Sequence, residues 1–145
     1  MATVNVYLTF DGNCEEAFNF YRSVFGGEFP YIGRFGDMPP GQGAKPLPPE
    51  HANRIMHVSL PISKETILMG SDSAGEWAAN YKQGNNFSLS VNTGTKEEAD
   101  KIYNGLAAGG HAIMPPAKTF WSEYFGMLTD KFGIAWMVSV DPAKQ

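Results

Sequence analysis

The segment from Tyr7 to Gly27 reads YLTFDGNCEEAFNFYRSVFGG and joins a strand pattern to a helix pattern. Apolar residues alternate with other residues from Val6 to Phe10, which is the period of two of a β-strand. A helix is predicted at about residues 13 to 25, with Asn13 as its N-cap and an apolar stripe along one face. The Gly-Gly pair at the end of the segment stops this helix.

The same succession returns once in the second half of the chain. A second alternating run starts at Phe87, a second Glu-Glu-Ala triplet ends at Ala99, and a second Gly-Gly pair ends at Gly110. The Glu-Glu-Ala triplet recurs 82 residues after its first-half counterpart and the Gly-Gly pair 83 residues after, whereas the strand landmarks Val6 and Phe87 stand 81 residues apart. Thr95 is the predicted N-cap of the second helix. Two copies of one supersecondary unit explain the repeat.

Further strands are predicted after each helix, at residues 29–35, 54–61, 66–70, 112–116 continuing at 118–121, 124–129 and 134–140. The Gly- and Pro-rich stretch 36–53 is a predicted loop, and loops of this length commonly serve a site or an interface. The pattern predicts an α+β fold with two βαβββ modules, curved, mostly antiparallel sheets and helices on the outer face. One domain spans 1–145, with module one at about 1–72, a linker at about 73–84 and module two at about 85–145.

Composition and charge narrow the class of protein. The chain has 145 residues, 43% hydrophobic and 18% charged, and a net charge of −4, which is typical of a globular protein. It has no run of Lys or Arg, so neither nucleic acid nor a membrane surface is an expected partner. A single cysteine and the lack of a signal-peptide pattern favour the cytoplasm.

Strand alternation predicts which side chains face away from the helices. Met56, Val58 and Leu60 are expected to pack under the first helix, and Phe87, Leu89 and Val91 under the second. The concave face would then carry Ile55, His57, Ser59, Asn86, Ser88 and Ser90. A sheet face with this many polar residues either meets water or lines a cavity.

Three strings resemble PhnB-like proteins of the glyoxalase, bleomycin-resistance and extradiol-dioxygenase group, the vicinal-oxygen-chelate superfamily. They are YLTFDGNCEEAFNFY from Tyr7 to Tyr21, RIMH…LMGSD from Arg54 to Asp72, and FWSEYFGMLTDKFGIAWM from Phe120 to Met137. The resemblance covers nearly the whole chain, and the last string is its most specific part. It implies paired βαβββ modules around a cavity, and a homodimer. Some relatives carry a ubiquinone methyltransferase label, but the sequence shows no glycine-rich methyl-donor loop after a strand.

Metal-using members of that superfamily hold a divalent ion with His or Gln and Glu from the first and last strand of each module. Transferring this pattern places the ligand positions at about Asn5, Leu68, Asn86 and Met137. A shift by one residue gives Val6, Met69, Phe87 and Val138. Neither set contains an imidazole or a carboxylate, the groups that hold such ions well. The expectation is therefore no metal and no cofactor.

Other polar residues leave alternatives open. His57 either orients a ligand, with acid or base function, or is a hydrogen-bonded interior histidine. Cys14 is read as a small buried residue rather than a nucleophile. Gly70-Ser71-Asp72 either places a hydroxyl and a carboxylate at the cavity mouth or forms a local turn. His51 and His111 are expected at the surface.

An aromatic and methionine cluster comprises Phe120, Trp121, Tyr124, Met127 and Trp136. Such a cluster walls a ligand pocket or belongs to the core and a dimer interface. Trp121 and Tyr124 lie near strand ends and are the better pocket candidates.

The first functional hypothesis is a small-molecule binding protein with a metal-free concave cavity. Its predicted lining is Asn5, Tyr7, His57, Ser59, Asn86, Ser88, Trp121, Tyr124 and Met137. The alternatives are a metal-dependent lyase or dioxygenase of the vicinal-oxygen-chelate type, and a non-catalytic dimeric interaction protein. Whether any reaction is catalysed is left open.

Overall fold

Strands and α-helices follow the same order in both halves of the chain. The structure is a computed structural model and describes residues 2–37 and 47–140. The chain divides into two compact units, Met1–Lys82 and Gln83–Gln145. Part of the predicted loop 36–53, residues 38–46, lies outside the described residues.

The first unit contains a four-stranded sheet and one α-helix. Its elements are β1 (Val6–Phe10), α1 (Cys14–Phe25), β2 (Tyr31–Arg34), β3 (Ile55–Pro61) and β4 (Ile67–Asp72). Short 3-10 helices occupy Phe35–Asp37, Pro49–His51 and Gly75–Asn80. The strand order is β1-β4-β3-β2, with β1 parallel to β4 and the other pairs antiparallel.

The second unit repeats this topology. Its elements are β5 (Leu89–Thr93), α2 (Lys96–Ala107), β6 (His111–Ala117), β7 (Tyr124–Thr129) and β8 (Ala135–Val140). The strand order is β5-β8-β7-β6, and again only the first pair is parallel. The predicted α+β fold of two βαβββ modules is confirmed. In the part of the chain that the structure describes, no helix is long and apolar enough to cross a bilayer.

The helix α1 covers one face of the first sheet and buries the first part of its predicted apolar stripe, whereas Val24 and Phe25 are half-buried. Ala17, Phe18 and Tyr21 are fully buried and α1 contacts β3 and β4. Asn13 makes no side-chain capping bond. The cap is supplied instead by Asp72, whose Oδ1 accepts hydrogen bonds from the backbone N–H groups of Gly12 and Cys14.

The helix α2 covers the second sheet in the same way. Its buried side chains include Ile102, Tyr103 and Leu106, in agreement with the predicted stripe. The Thr95 hydroxyl oxygen accepts from the backbone N–H of Glu98, which confirms Thr95 as the N-cap. The Tyr103 hydroxyl lies 2.9 Å from the carbonyl oxygen of Met127 and ties the helix to β7.

The strand β5 begins two residues later than predicted. Leu89 pairs with Trp136 near the start of β8, and the parallel pairing does not reach Phe87. Phe87 is half exposed, and the prediction that it packs under the helix is wrong. Asn86 and Ser88 also precede β5 and are exposed. Likewise β6 ends at Ala117, so the predicted continuation at 118–121 is not a strand.

The strand β3 carries an irregularity that changes the face of Ile55. Gly33 pairs with His57, but the next pair is Arg34 with Ile55, so Met56 is an extra residue. Ile55 is therefore on the helix side with Val58, and both are fully buried. The prediction that Ile55 lies on the concave face is wrong, whereas His57 keeps its predicted orientation.

Candidate functional site

A cavity of about 570 Å³ opens within the second unit. It lies on the open face of the sheet, meaning the face turned away from the helix. Its walls come from β5, β7 and β8 and from the segment 118–123 between β6 and β7. The lining residues are Asn92, Lys118, Thr119, Phe120, Trp121, Ser122, Glu123, Phe125, Ser139 and Val140.

The polar wall of this cavity is a pair of side chains fixed by strand pairing. Asn92 on β5 is directly opposite Ser139 on β8, and Ser139 is directly opposite Phe125 on β7. The Ser139 hydroxyl donates to Asn92 Oδ1 at 2.6 Å. This bond orients the Asn92 amide, because its oxygen is engaged and its nitrogen keeps both hydrogens for another partner.

The apolar wall consists of Trp121 and two aromatic rings that it meets at steep angles. Trp121 meets Phe125 with ring centroids 5.5 Å apart and 71° between planes, and it meets Phe120 at 4.7 Å and 85°. These are edge-to-face arrangements, which leave ring faces open to a ligand. Trp121 is 58% exposed and Phe120 is 97% exposed. Both rings are therefore accessible to a ligand.

The segment that carries the two exposed rings is held by its own hydrogen bonds. The backbone N–H of Thr119 donates to the Ser122 carbonyl oxygen at 2.9 Å, and the Ser122 N–H donates to Thr119 Oγ1 at 3.0 Å. The Ser122 hydroxyl donates in turn to the carbonyl oxygen of Tyr124 at the start of β7. Phe120 and Trp121 are therefore presented by a closed turn.

The open face of the first unit carries a histidine between two tyrosines. The Tyr7 hydroxyl lies 3.3 Å from His57 Nδ1, and the ring centroids of Tyr7 and Tyr31 lie 5.6 Å and 5.9 Å from that of His57. Both tyrosines are about half exposed. Ser59 shares this face two residues along β3 and pairs with Tyr31 and Met69. Tyr7, His57 and Ser59 therefore lie together, as the strand alternation predicts.

The remaining predicted pocket residues are dispersed. Asn5 is exposed and precedes β1, as Asn86 and Ser88 precede β5. Met137 lies on the open face of the second sheet, paired with Ser90 and Met127.

Tyr124 lies on the helix side of the second sheet, which corrects its prediction as a pocket residue. Its hydroxyl donates to Asp100 on α2, and the Lys96 ammonium lies 5.6 Å from its ring centroid. The hydrogen bond to Asp100 raises the pKa of Tyr124. The reason is strand parity, because Tyr124 alternates with Phe125 and therefore takes the opposite face.

Cys14 and Asp72 are structural rather than available for chemistry. Cys14 is fully buried, and burial, followed by the carboxylates of Asp72 and Glu15, raises the pKa of its thiol far above the ordinary range. Asp72 is buried and also accepts from the backbone N–H of Ile55 through Oδ2. It therefore forms neither a cavity mouth nor a local turn.

The other two histidines have separate surroundings. His51 Nδ1 accepts from the backbone N–H of Gly75 at 3.0 Å. His111 is exposed at the start of β6. Neither lies with His57 on the open face of β3.

The side chains on the first and last strands do not form a good divalent-ion site. Leu68 is buried on the helix side, and Asn5 lies before β1. The open faces of these strands carry Tyr7, Thr9, Met69 and Ser71 in the first unit and Ser90, Asn92, Met137 and Ser139 in the second. Hydroxyls, thioethers and an amide are weak ligands for such ions. Across the described residues, no group of three His, Cys, Asp or Glu side chains is placed to hold a metal.

A second, polar cavity of about 700 Å³ lies in the first unit, lined by Gly12, Glu15, Arg34, Glu50, Asn53 and Arg54. Both Arg34 terminal nitrogens bond Glu15, at 3.0 Å and 2.7 Å. Arg54 Nη1 bonds Asp11 and the Ser73 carbonyl oxygen. Because the charges of both guanidinium groups are matched by carboxylates, this cavity is the weaker candidate for a ligand.

The sequence model of the 3-demethylubiquinone-9 3-methyltransferase family matches residues 2–139 of this chain. The chain belongs to this family. PhnB-like proteins belong to the same family. The resemblance to them that the three sequence strings indicate is therefore confirmed.

Individual proteins are similar to this chain along almost their full length. Protein YjdN from Escherichia coli is 36% identical over 92% of both chains. The crystal structure of protein PA1353 from Pseudomonas aeruginosa is 38% identical with a TM-score of 0.83, covering 97% of this chain and 98% of that one. The PhnB protein from Bacillus cereus is 29% identical with a TM-score of 0.75, covering 97% and 100%.

More distant structures share the fold alone. Solved proteins of the glyoxalase, bleomycin-resistance and dioxygenase group are similar with TM-scores of 0.56 to 0.60 at 16% to 21% identity. They show that the chain shares the fold of this group.

Proposed function

We propose that the protein binds a small organic molecule in the cavity of its second unit. The observation that carries this proposal is the pairing of exposed aromatic rings, Phe120 and Trp121, with an oriented polar pair, Asn92 and Ser139, around about 570 Å³. Small-molecule sites have volumes of roughly 300–1,000 Å³ and combine apolar walls with a few fixed polar groups.

The His57 cluster of the first unit is proposed as a second ligand-contacting surface. The Tyr7 hydroxyl occupies Nδ1, so Nε2 is the nitrogen left to meet a ligand. The flanking rings of Tyr7 and Tyr31 would limit how the imidazole rotates. This arrangement supports an orienting role for His57.

Binding is proposed to need no metal ion, because the donor set described above is poor in imidazole and carboxylate groups. Metal analysis of the purified, dialysed protein tests this. Substoichiometric content and unchanged ligand binding after treatment with EDTA are expected. Stoichiometric Zn, Ni, Fe or Mn that survives dialysis would favour a metal-dependent lyase or dioxygenase instead.

A thermal-shift screen of organic compounds tests the proposed binding. A ligand that binds only the folded state at about 100 times its Kd adds roughly 2.7 kcal/mol to the free energy of unfolding, which is a rise of several degrees in Tm. Trp121→Ala should abolish the shift for a ligand of the second-unit cavity. Phe87→Ala is the matched control, because Phe87 is a similarly exposed aromatic residue of the same unit that does not line the cavity.

A homodimer is proposed as the state in solution, and its mass by light scattering is the measurement. A dimer with no ligand response in the whole screen would favour a non-catalytic interaction protein. The mass of a monomer together with a ligand response would support the binding proposal and contradict the proposed homodimer.

A further inference from the structure

We infer that the ligand of the second-unit cavity is a flat aromatic compound that bears a carboxylate, an inference that rests on the proposed function. The ring would lie against Trp121, and the carboxylate would meet the Asn92 amide. Neither part of this assignment depends on a metal ion or on a chemical reaction.

The shape of the ligand follows from the aromatic wall. Trp121 meets both of its aromatic neighbours edge to face, at 71° and 85°. Three rings at steep angles form a corner with planar sides, and a flat ring can stack on one side while its edge meets the next. A puckered aliphatic ring has no planar face to offer and would lose part of this contact.

The chemistry of the polar group follows from the direction of one hydrogen bond. The Ser139 hydroxyl donates its only proton to Asn92 Oδ1. The group left free is the Asn92 amide nitrogen, which is a donor of two hydrogen bonds and has no acceptor capacity. A carboxylate oxygen accepts from this nitrogen, and hydrogen bonds to charged acceptors are the stronger ones.

Two charged side chains complete the lining, Lys118 and Glu123. Their formal charges are opposite, so the segment 118–123 adds no net charge to the cavity. The Lys118 ammonium offers a further donor to an anion, whereas a cationic ligand would meet the Asn92 amide hydrogens. The fixed donor at the strand pair therefore selects an acceptor.

The test uses isothermal titration calorimetry with three probes on the full chain. They are 2-naphthoate, cyclohexanecarboxylate and 2-naphthylmethylamine. We expect 2-naphthoate to bind most tightly, because only it combines a flat ring with a carboxylate. Trp121→Ala should remove its binding.

Asn92→Asp isolates the polar contact, since it keeps the size of the side chain and its bond from Ser139 but replaces the amide donors by an anion. We expect it to weaken 2-naphthoate by about tenfold or more, the loss of at least one charge-assisted hydrogen bond. Asn86→Asp is the matched control, because it adds the same charge at an exposed asparagine of the same unit outside the cavity. It should leave the affinity unchanged.

The outcomes separate the ligand class from the proposed function. Preferred binding of the amine or of cyclohexanecarboxylate, abolished by Trp121→Ala, overturns the ligand class and supports the cavity as a binding site. Equal weakening by Asn92→Asp and Asn86→Asp overturns the contact with Asn92. Failure of all three probes together with an unresponsive compound screen overturns both proposals.

Discussion

Oδ1 of Asp72 lies 2.9 Å from the backbone nitrogen of Cys14, so the carboxylate that ends β4 caps a helix that begins 58 residues earlier in the chain. Its second oxygen accepts from the backbone N–H of Ile55 at 2.8 Å. One side chain thus connects the start of α1, the start of β3 and the end of β4. Backbone donors at a helix N-terminus need such partners when they are buried.

Asp72→Ala should destabilise the protein severely. The substitution leaves the N–H groups of Gly12, Cys14 and Ile55 without their acceptor, and the bonds to Cys14 and Ile55 are buried, at about 1–3 kcal/mol each. A loss of about 2 kcal/mol or more is a large part of a typical stability of 5–15 kcal/mol. Urea denaturation measures the loss. Asp37→Ala, at an exposed aspartate of the same unit, is the control, and equal effects of the two variants would refute the capping role.

Gly70→Ala should also be destabilising, because a Cβ atom at this position would meet the packed interior. It would lie 2.6 Å from Phe18 Cε1 and 2.9 Å from the Leu8 carbonyl oxygen. We expect a loss of about 1–3 kcal/mol in the free energy of unfolding. Gly84→Ala is the matched control, since its nearest neighbour, Asn86 Oδ1, would be 3.6 Å away. A Gly70 variant as stable as the Gly84 variant would show that α1 can shift away from β4.

The fold could be predicted from the sequence because its signals are local. The helix stripe around Phe18 and Tyr21 and the cap at Thr95 depend on residues a few positions apart, and both are present in the structure. The cap at Asp72 could not be predicted in this way, because its partners are 58 and 60 residues away. The two helix caps therefore depend on different ranges of the sequence, one local and one distant.

The candidate site was predicted less well, because it depends on strand pairing. Trp121 is predicted from its place in an aromatic cluster and near a strand end, but Asn92, Phe125 and Ser139 are not predicted. These three lie side by side only because β5, β8 and β7 pair in one particular register. The alternation of Phe125 with Tyr124 was a usable signal, since it places only one of the two on the open face.

Cys14 should resist thiol reagents in the folded protein. Burial, with the Asp72 and Glu15 carboxylates, raises the pKa of the thiol, so very little thiolate exists at pH 8. Reaction with 5,5′-dithiobis(2-nitrobenzoate) should be slow in buffer and fast in urea, where the group regains its ordinary pKa. Cys14→Ala, which should give no colour in either condition, is the control. Rapid labelling of the folded protein would mean that the start of α1 opens readily.

The raised pKa of Cys14 also makes the free energy of unfolding depend on pH in the alkaline range. The thiol has a raised pKa in the folded state, so its contribution to stability is complete below the unfolded pKa of about 8.5 and decreases as pH rises above it. The free energy of unfolding of the unmodified protein should therefore fall more steeply above this pH than that of Cys14→Ala. Parallel curves for the two proteins would contradict this assignment.

The ion pair between Glu15 and Arg34 should give a small, acid-sensitive contribution to stability. Hydrogen bonding from Arg34 lowers the pKa of Glu15, so the contribution is present above the unfolded pKa of about 4.3 and is lost as pH falls through the lower folded pKa. The side chains are 46% and 34% exposed, so solvent screening limits the effect.

A double-mutant cycle with Glu15→Gln and Arg34→Gln measures this coupling by urea denaturation at several pH values. The two Arg34 nitrogens lie 3.0 Å and 2.7 Å from the Glu15 oxygens, a two-pronged geometry that favours about 0.5–1 kcal/mol at pH 7. Arg22 and Glu28 form the matched control pair, because they make a single 3.4 Å contact and Glu28 is almost fully exposed. Their coupling should be close to zero. Equal coupling in the two pairs would show that the two-pronged contact does not persist in solution, and a Glu15–Arg34 coupling that does not fall as the carboxylate is protonated would contradict its ionic origin.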